Sequence, residues 1–457
     1  MDHSCNLPFC CASWLGEPVS TRSAPNWVGM ARYGGLFGIM AMAMLSPPCL
    51  ALVSTELIEE SGVSATLVAD AFGAAAGGYM HFEVEPTSDW PSNGVAYLVV
   101  VAESVTSQYF TTLLEMSDLE ADDPPPVCAA PSAGRFEITG HDSFNMSIAH
   151  HDRYSAYLVV CDRGGSFYGH VTSTFLNRVP EGDLTQHLPI NQAMLPVLYT
   201  LMSVVYVALT AAWLGEMVRL RRHVLPVHSL CLACVVVKTV QFILRAIYFH
   251  RQSVHGGEGD RDRLLGAAVV LFIVLFQVVF LLTLLLFSLG WGFIRPALRS
   301  KEGWLVTITI GFYAGVSLID ASCDDTNSSS WCSGVGLMAY AVRSLVMLTT
   351  VVAINFNITH IRFCIQQLPW TSSSALEYVK LSRYLSYRMT FLAYLLMPTV
   401  LLMVSVFILS WEYDWIYVAL DEFVRFLIIA HLGVTFAPLD PWLLTRAFDH
   451  SLEQQGS

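Results

Sequence analysis

Charge is scarce in this sequence. Asp, Glu, Lys and Arg make up 13% of its 457 residues, against about 25% in soluble domains. With 54% apolar residues and a mean hydropathy of +0.52, that excludes an ordinary soluble protein. Lysine is absent altogether from Val53 to Ile190, where 19 Asp and Glu face four arginines (Arg135, Arg153, Arg163 and Arg178), a balance of −15. Such a surface repels anionic lipid and nucleic acid, which excludes nucleic acid as a partner. From Asn191 onward 18 basic residues nearly cancel 16 acidic ones. The eleven cysteines do not make a disulfide-dense scaffold.

Other absences concern chemistry. Ser333-Gly334 lacks the preceding glycine of a membrane-embedded serine protease, and no nucleophile stands beside a base. His250 and His255 are five residues apart, not at the i,i+4 spacing of a helical metal site. No loop has the glycine pattern that cradles phosphate. The expectation is a protein that is not an enzyme and uses no cofactor or metal.

What is present falls into four parts. Residues 1–51 form a leader. Met30-Ala31-Arg32, the apolar run Tyr33–Leu45 and the small residues before Ala51 read as a secretory signal peptide starting at Met30. Residues 52–190 alternate short aliphatic and aromatic runs with Gly, Pro, Asp and Ser clusters. Thr66–Phe72, Tyr79–Val84, Val95–Val101, Gln108–Leu114, Arg135–Ile138, Ser155–Val160 and Ser166–Phe175 read as strands of an antiparallel β-sandwich. Residues 191–437 hold seven apolar runs: Ala193–Leu214, Val224–Phe249, Leu264–Phe287, Trp304–Ala321, Val335–Phe356, Met389–Ser410 and Ile416–Ala437. Each approaches the ~20 residues needed to cross a bilayer as a helix. A tail, 438–457, follows.

Loop charge gives an orientation. With the β-domain lumenal, the cytosolic loops carry ten basic residues and the lumenal loops three (Arg251, Arg261 and Arg263), as the positive-inside rule requires. The tail is then cytosolic. Asn145-Met146-Ser147 and Asn327-Ser328-Ser329 become glycosylation sequons, whereas Asn357-Ile358-Thr359 faces the cytosol. Cys128 with Cys161, and Cys323 with Cys332, become candidate disulfides in an oxidising lumen. Cys231 and Cys234 read as plain core residues. The cytosolic stretch from Asn357 to Arg388 is the longest such loop. Leu376–Tyr387 reads as an interfacial helix within it, where a trafficking adaptor would be seated.

Four stretches carry a resemblance. They are Leu195-Pro196-Val197-Leu198-Tyr199 at the start of span one, Leu289-Gly290-Trp291-Gly292-Phe293-Ile294-Arg295-Pro296 after span three, Lys380–Arg388 before span six, and Trp415–Arg425 opening span seven. In this order they resemble the GOST family of Golgi-dynamics-domain seven-transmembrane proteins, over about Leu188 to Pro438. The resemblance implies a Golgi-dynamics-like β-sandwich above a seven-helix bundle, residence in Golgi, trans-Golgi or endosomal membranes, and work in protein traffic. Wntless, a relative of the family by fold, suggests lipid-modified cargo held between sandwich and bundle.

Charges inside spans are costly and mark candidate sites. Lys238, Gln241 and Arg245 share one face of span two. Asp421, Glu422 and Arg425 lie in span seven, and Arg343 about two turns into span five. They are expected either to line a lumen-facing cavity for a lipid headgroup or an anionic cargo group, or to form structural ion pairs. A cation channel would use the same charges. A G-protein-coupled receptor is the other alternative, although span three ends in Gly-Trp-Gly rather than Asp-Arg-Tyr and span seven lacks Asn-Pro-x-x-Tyr. The acidic domain also holds His81, His141, His150, His151, His170 and His187, which titrate across the pH range of the secretory pathway.

Overall fold

A computed structural model describes residues 53–437 apart from 62–63, 88–95, 106–131, 162–165, 179–184, 257–259, 296, 323–329 and 368–371. The leader, the tail, the expected strand Gln108–Leu114, Asn327, Cys128, Cys323 and the side chain of Cys332 lie outside what the structure describes.

Two antiparallel sheets face each other. One runs β1 (Val53–Ser61), β8 (Ser166–Arg178), β3 (Tyr79–Pro86), β6 (Asp142–Ser147), with the short β9 (Thr185–Gln186) paired to β8. The other runs β2 (Ser64–Ala74), β7 (Asp152–Val160), β4 (Ala96–Ala102), β5 (Gly134–Ile138). Alternation sets which face is inward. In β3, Met80, Phe82 and Val84 are buried while Glu83 and Glu85 point out, so a one-residue slip would put both glutamates in the core. Phe72 stacks on Phe175 at 4.7 Å, and Phe82 meets Phe175 edge-on at 5.7 Å. Three strands escaped the sequence reading, the two-residue β9 and two longer ones. β1 carries three glutamates, and β6, Asp142-Ser143-Phe144-Asn145-Met146-Ser147, lies on an edge and is paired only to β3. Strands with one or no neighbour to pack against need little apolar signal.

The bundle contains α1 (Leu195–Arg219), α2 (Pro226–His255), α3 (Asp260–Ser288), α4 (Ser300–Ser322), α5 (Ser330–Gln367), α6 (Ser372–Ile408) and α7 (Asp414–Thr435). Six of these are long and apolar enough to cross a membrane. The seventh, α7, has spanning length, but Asp421, Glu422 and Arg425 interrupt its apolar character. Those three charges are partnered inside the bundle, as described below.

One expectation is corrected here. Asn357–Arg388 is not a long loop with an interfacial helix. α5 runs on to Gln367, and α6 already begins at Ser372 and continues unbroken through Tyr387. Tyr384 and Tyr387 are fully buried, so this face of the segment belongs to the bundle core. The basic residues that suggested a surface partly turn inward: Lys380 pairs with Glu377 at 2.7 Å, and Arg383 donates to the Ala437 carbonyl at 3.1 Å.

The sandwich sits on the bundle through a small polar joint. Buried Asn177 donates to the carbonyls of Gly73 and Leu188 (3.0 and 2.9 Å) and accepts from the Ala75 N–H (2.9 Å), tying β8 to β2 and to the chain entering α1. The turn Trp411–Tyr413 between α6 and α7 docks against β2 and β7. His151 stacks on Trp411 (5.2 Å) and pairs with Glu412 (2.8 Å), while Arg153 lies over the Trp411 ring (5.2 Å). A Cβ on Gly73 would fall 2.7 Å from that ring, so only glycine admits the approach.

Candidate functional site

The end of α3 shows how the bundle is fixed at its far side, away from the sandwich. A helix leaves its last four carbonyls without helical partners. Here each finds one. The Leu285 carbonyl accepts from Leu289 N–H (3.0 Å), Leu286 from Trp291 (3.1 Å), Phe287 from Gly290 (3.0 Å), and Ser288 from the Asn357 side-chain amide (2.6 Å). The Gly290 and Trp291 bonds make a Schellman cap, which needs the left-handed φ of +79° that Gly290 adopts. Tyr384 donates to the Phe287 carbonyl (3.0 Å) and Tyr387 to that of Leu284 (2.7 Å). Phe287 stacks on Phe436 at 4.1 Å. The Gly-Trp-Gly segment is thus a junction of α3, α5, α6 and the end of α7. Asn357, although in a sequon, is buried and committed to that junction.

The charges of spans two and seven converge, with Glu422 as hub. Its carboxylate lies 2.8 Å from Lys238 Nζ, 3.3 Å from Arg245 and 3.7 Å from Arg425. Arg425 also pairs with Asp421 at 2.6 Å, one turn earlier on α7. Lys238 is completely enclosed, its ammonium lying over the rings of Phe242 (4.5 Å) and Phe276 (4.4 Å). Arg245 donates to the Tyr199 hydroxyl of α1 (3.3 Å). Gln241, one turn from Lys238, is buried with its carbonyl oxygen accepting no hydrogen bond among the described residues. Arg343 stands apart from these ion pairs. It lies roughly three and a half turns into α5, because the helix starts at Ser330, and it donates to the Tyr394 hydroxyl of α6 (3.1 Å).

Two cavities adjoin this cluster. One, of about 340 Å³, lies between Leu209 and Trp213 of α1, Cys231 and Val235 of α2, Phe280 of α3 and Ile429 of α7. Its wall is almost wholly apolar, and it occupies the half of the bundle far from the sandwich. The other, about 30 Å³, has a wall of mixed polar and apolar residues and sits among α3, α4, α5, α6 and α7. Neither is lined by a residue of the sandwich.

The remaining sequence-selected residues are scattered. Asn145 is exposed on edge strand β6, beside His81 (2.8 Å). Cys161 is disulfide-bonded, with Cys128 outside the described residues. Cys231 and Cys234 are buried, as expected. His431 is exposed and shares a hydrogen bond with Ser386 (2.8 Å). The sequence reading missed Tyr394, Asn357 and the roles of Tyr384 and Tyr387. An asparagine inside an apolar run, and tyrosines three apart in a basic segment, were the available signals.

These features define a polytopic membrane protein in which an antiparallel β-sandwich is joined to a seven-helix bundle with a buried ionic hub. The description "GOST, seven transmembrane domain" matches residues 194–440, more than half of the chain. The chain belongs to the GOST family. It is also similar to an Arabidopsis thaliana protein described as candidate G-protein coupled receptor 6, with 23% identity over 274 residues. That alignment covers 59% of this chain and 61% of the relative.

Proposed function

We propose that this protein is a non-enzymatic component of Golgi, trans-Golgi or endosomal membranes that acts in membrane traffic by binding lipid or lipid-modified secretory cargo. The observation that carries the reading is the apolar cavity of about 340 Å³ between α1 and α7, within the usual size of ligand pockets. An apolar cavity excludes water and takes apolar occupants. Its place alters the sequence expectation. The acyl chain enters the half far from the sandwich, and the ionic hub lies toward the sandwich, about one turn along α2 from the lining residue Val235. Loop charge supports a lumenal sandwich and a cytosolic tail. In that orientation a trafficking adaptor meets the cytosolic ends of α5 and α6, where Arg362 is exposed.

The test is mass spectrometry of lipid that copurifies with the full chain, together with imaging of its location. Ala430 lines the cavity, and Ala430→Phe fills it. Loss of a stoichiometric acyl lipid from the variant, with unchanged thermal stability and Golgi or endosomal location, supports the proposal. Identical lipid content in both proteins overturns it. A second reading, a receptor signalling through G proteins, is favoured by the description of the Arabidopsis relative. Nucleotide exchange on G proteins by the reconstituted chain would select it.

A further inference from the structure

The hub does not balance. Among the described residues, four cations meet in the middle of the bundle (Lys238, Arg245, Arg343 and Arg425), and two carboxylates face them, Asp421 and Glu422. Each carboxylate is already engaged: Asp421 by Arg425, and Glu422 by three cations. Among the described residues Arg343 forms no ion pair within contact distance of a carboxylate. A guanidinium offers five N–H donors, and the structure gives this one a tyrosine hydroxyl. Buried cations in a membrane are paired or solvated, so a surplus of two calls for a negative group that the described residues do not supply.

The smaller cavity lies where that group belongs. Its wall brings Arg343 and Arg425 together with the hydroxyls of Tyr313 and Tyr394 and the amide of Gln277. Tyr313 already directs its hydroxyl at Gln277 Oε1, at 3.5 Å, which leaves the Gln277 NH₂ as a further donor. The volume, about 30 Å³, exceeds the ~10–15 Å³ that one water needs and suits a monatomic ion. Arg425, with 35% of its side chain exposed, gives the site a mouth.

We infer that Arg343 and Arg425 hold a compact monovalent anion of the halide class, chloride under ordinary conditions, as a fixed counter-ion inside the bundle. Tyr394 positions Arg343 and keeps its own O–H to donate, and the Gln277 NH₂, its amide oriented by Tyr313, completes the donor set. The inference rests on charge balance and geometry, and stands whether or not the protein carries lipid cargo.

The experiment uses the purified full chain in neutral detergent at constant ionic strength, with sodium chloride replaced stepwise by sodium gluconate. A ligand that binds only the folded state raises the unfolding midpoint by mass action. The midpoint should therefore climb with chloride, by a constant increment per tenfold once the site begins to fill, and bromide should substitute. Arg343→Gln should abolish the dependence and Arg343→Lys should retain it. Should Arg343→Gln not fold, Tyr394→Phe keeps the charge and should move the chloride response to higher concentration. A midpoint indifferent to chloride overturns the inference, as does a response undiminished in Arg343→Gln and Tyr394→Phe. Phosphorus analysis of the same preparations separates the sources: one phosphodiester per chain, lost in Arg343→Gln and insensitive to chloride, would assign the negative charge to a lipid headgroup and refute the halide.

Discussion

Replacing Glu422 tests whether it is a hub or merely half of a pair. Removing one member of a buried ion pair costs about 3–5 kcal/mol, because an uncompensated charge remains. Glu422 is 2% exposed and faces Lys238, Arg245 and Arg425, so Glu422→Gln should pay that full cost. Lys238→Met is a different change. It nearly conserves volume, keeps the packing against Phe242 and Phe276, and leaves Glu422 two cations; volume-conserving swaps cost under about 1.5 kcal/mol. A bundle of this size shifts its midpoint by roughly 2–4 °C per kcal/mol. Thermal unfolding in detergent should thus fall by about 6–20 °C for Glu422→Gln and by no more than ~6 °C for Lys238→Met. In a simple pair, removing the second charge would restore stability. In a hub it restores only the part due to Lys238, because Arg245 has still lost its carboxylate. The double variant should therefore melt between Glu422→Gln and the parent chain. Equal losses in the single variants, or full recovery in the double, would refute the hub.

Asn357→Ala strands the Ser288 carbonyl in a buried site and should cost about 1–3 kcal/mol. Gly290→Ala forces a Cβ into a left-handed residue and against Ile294, for about 1–2 kcal/mol; thermal midpoints read both. With the sandwich in the lumen, Asn145→Gln should abolish one glycosidase-sensitive gel shift, whereas Asn357→Gln should abolish none. Trp411→Ala removes the ring between His151 and Arg153. It should raise protease cleavage around the 411–413 turn and leave the bundle's midpoint almost unmoved, and protection equal to the parent chain would show that the joint does not depend on that ring.

The sequence disclosed most of the membrane half and the inward strands, for physical reasons. Apolar runs such as Leu264–Phe287 must be helical in lipid, and strands like Tyr79–Pro86 alternate because one face is buried. Charges in spans two and seven were visible because the bilayer makes them expensive, and they do meet. What stayed hidden depends on partners distant in sequence. Arg343 reads as isolated until α6 brings Tyr394 beside it, 51 residues away. Lys380–Arg388 looks interfacial because basic residues alternate with tyrosines, yet the tyrosines face inward to the α3 carbonyls. The polar composition of β6 conceals an edge strand whose side chains are largely free to meet water.

One helix passes through every feature described. α7 starts at the turn docked on β2 and β7, carries Asp421, Glu422 and Arg425 into the hub, lines the apolar cavity from Ile429 to Val434, and ends where Phe436 stacks on Phe287. It is also the helix whose charges spoil its apolar profile. A segment that polar is secure in a membrane only while its partners on α2 hold it, so its depth and rotation are set by the ionic hub more than by lipid. The hub divides the helix: contacts with the sandwich lie before Asp421, and the cavity and the far junction lie after Arg425. A disturbance at Trp411 therefore meets the hub after about two turns. To reach the cavity it must shift Glu422 against three cations at once. The hub makes α7 a clamp between the two halves of the bundle, and places communication along α7 between sandwich and cavity at Glu422.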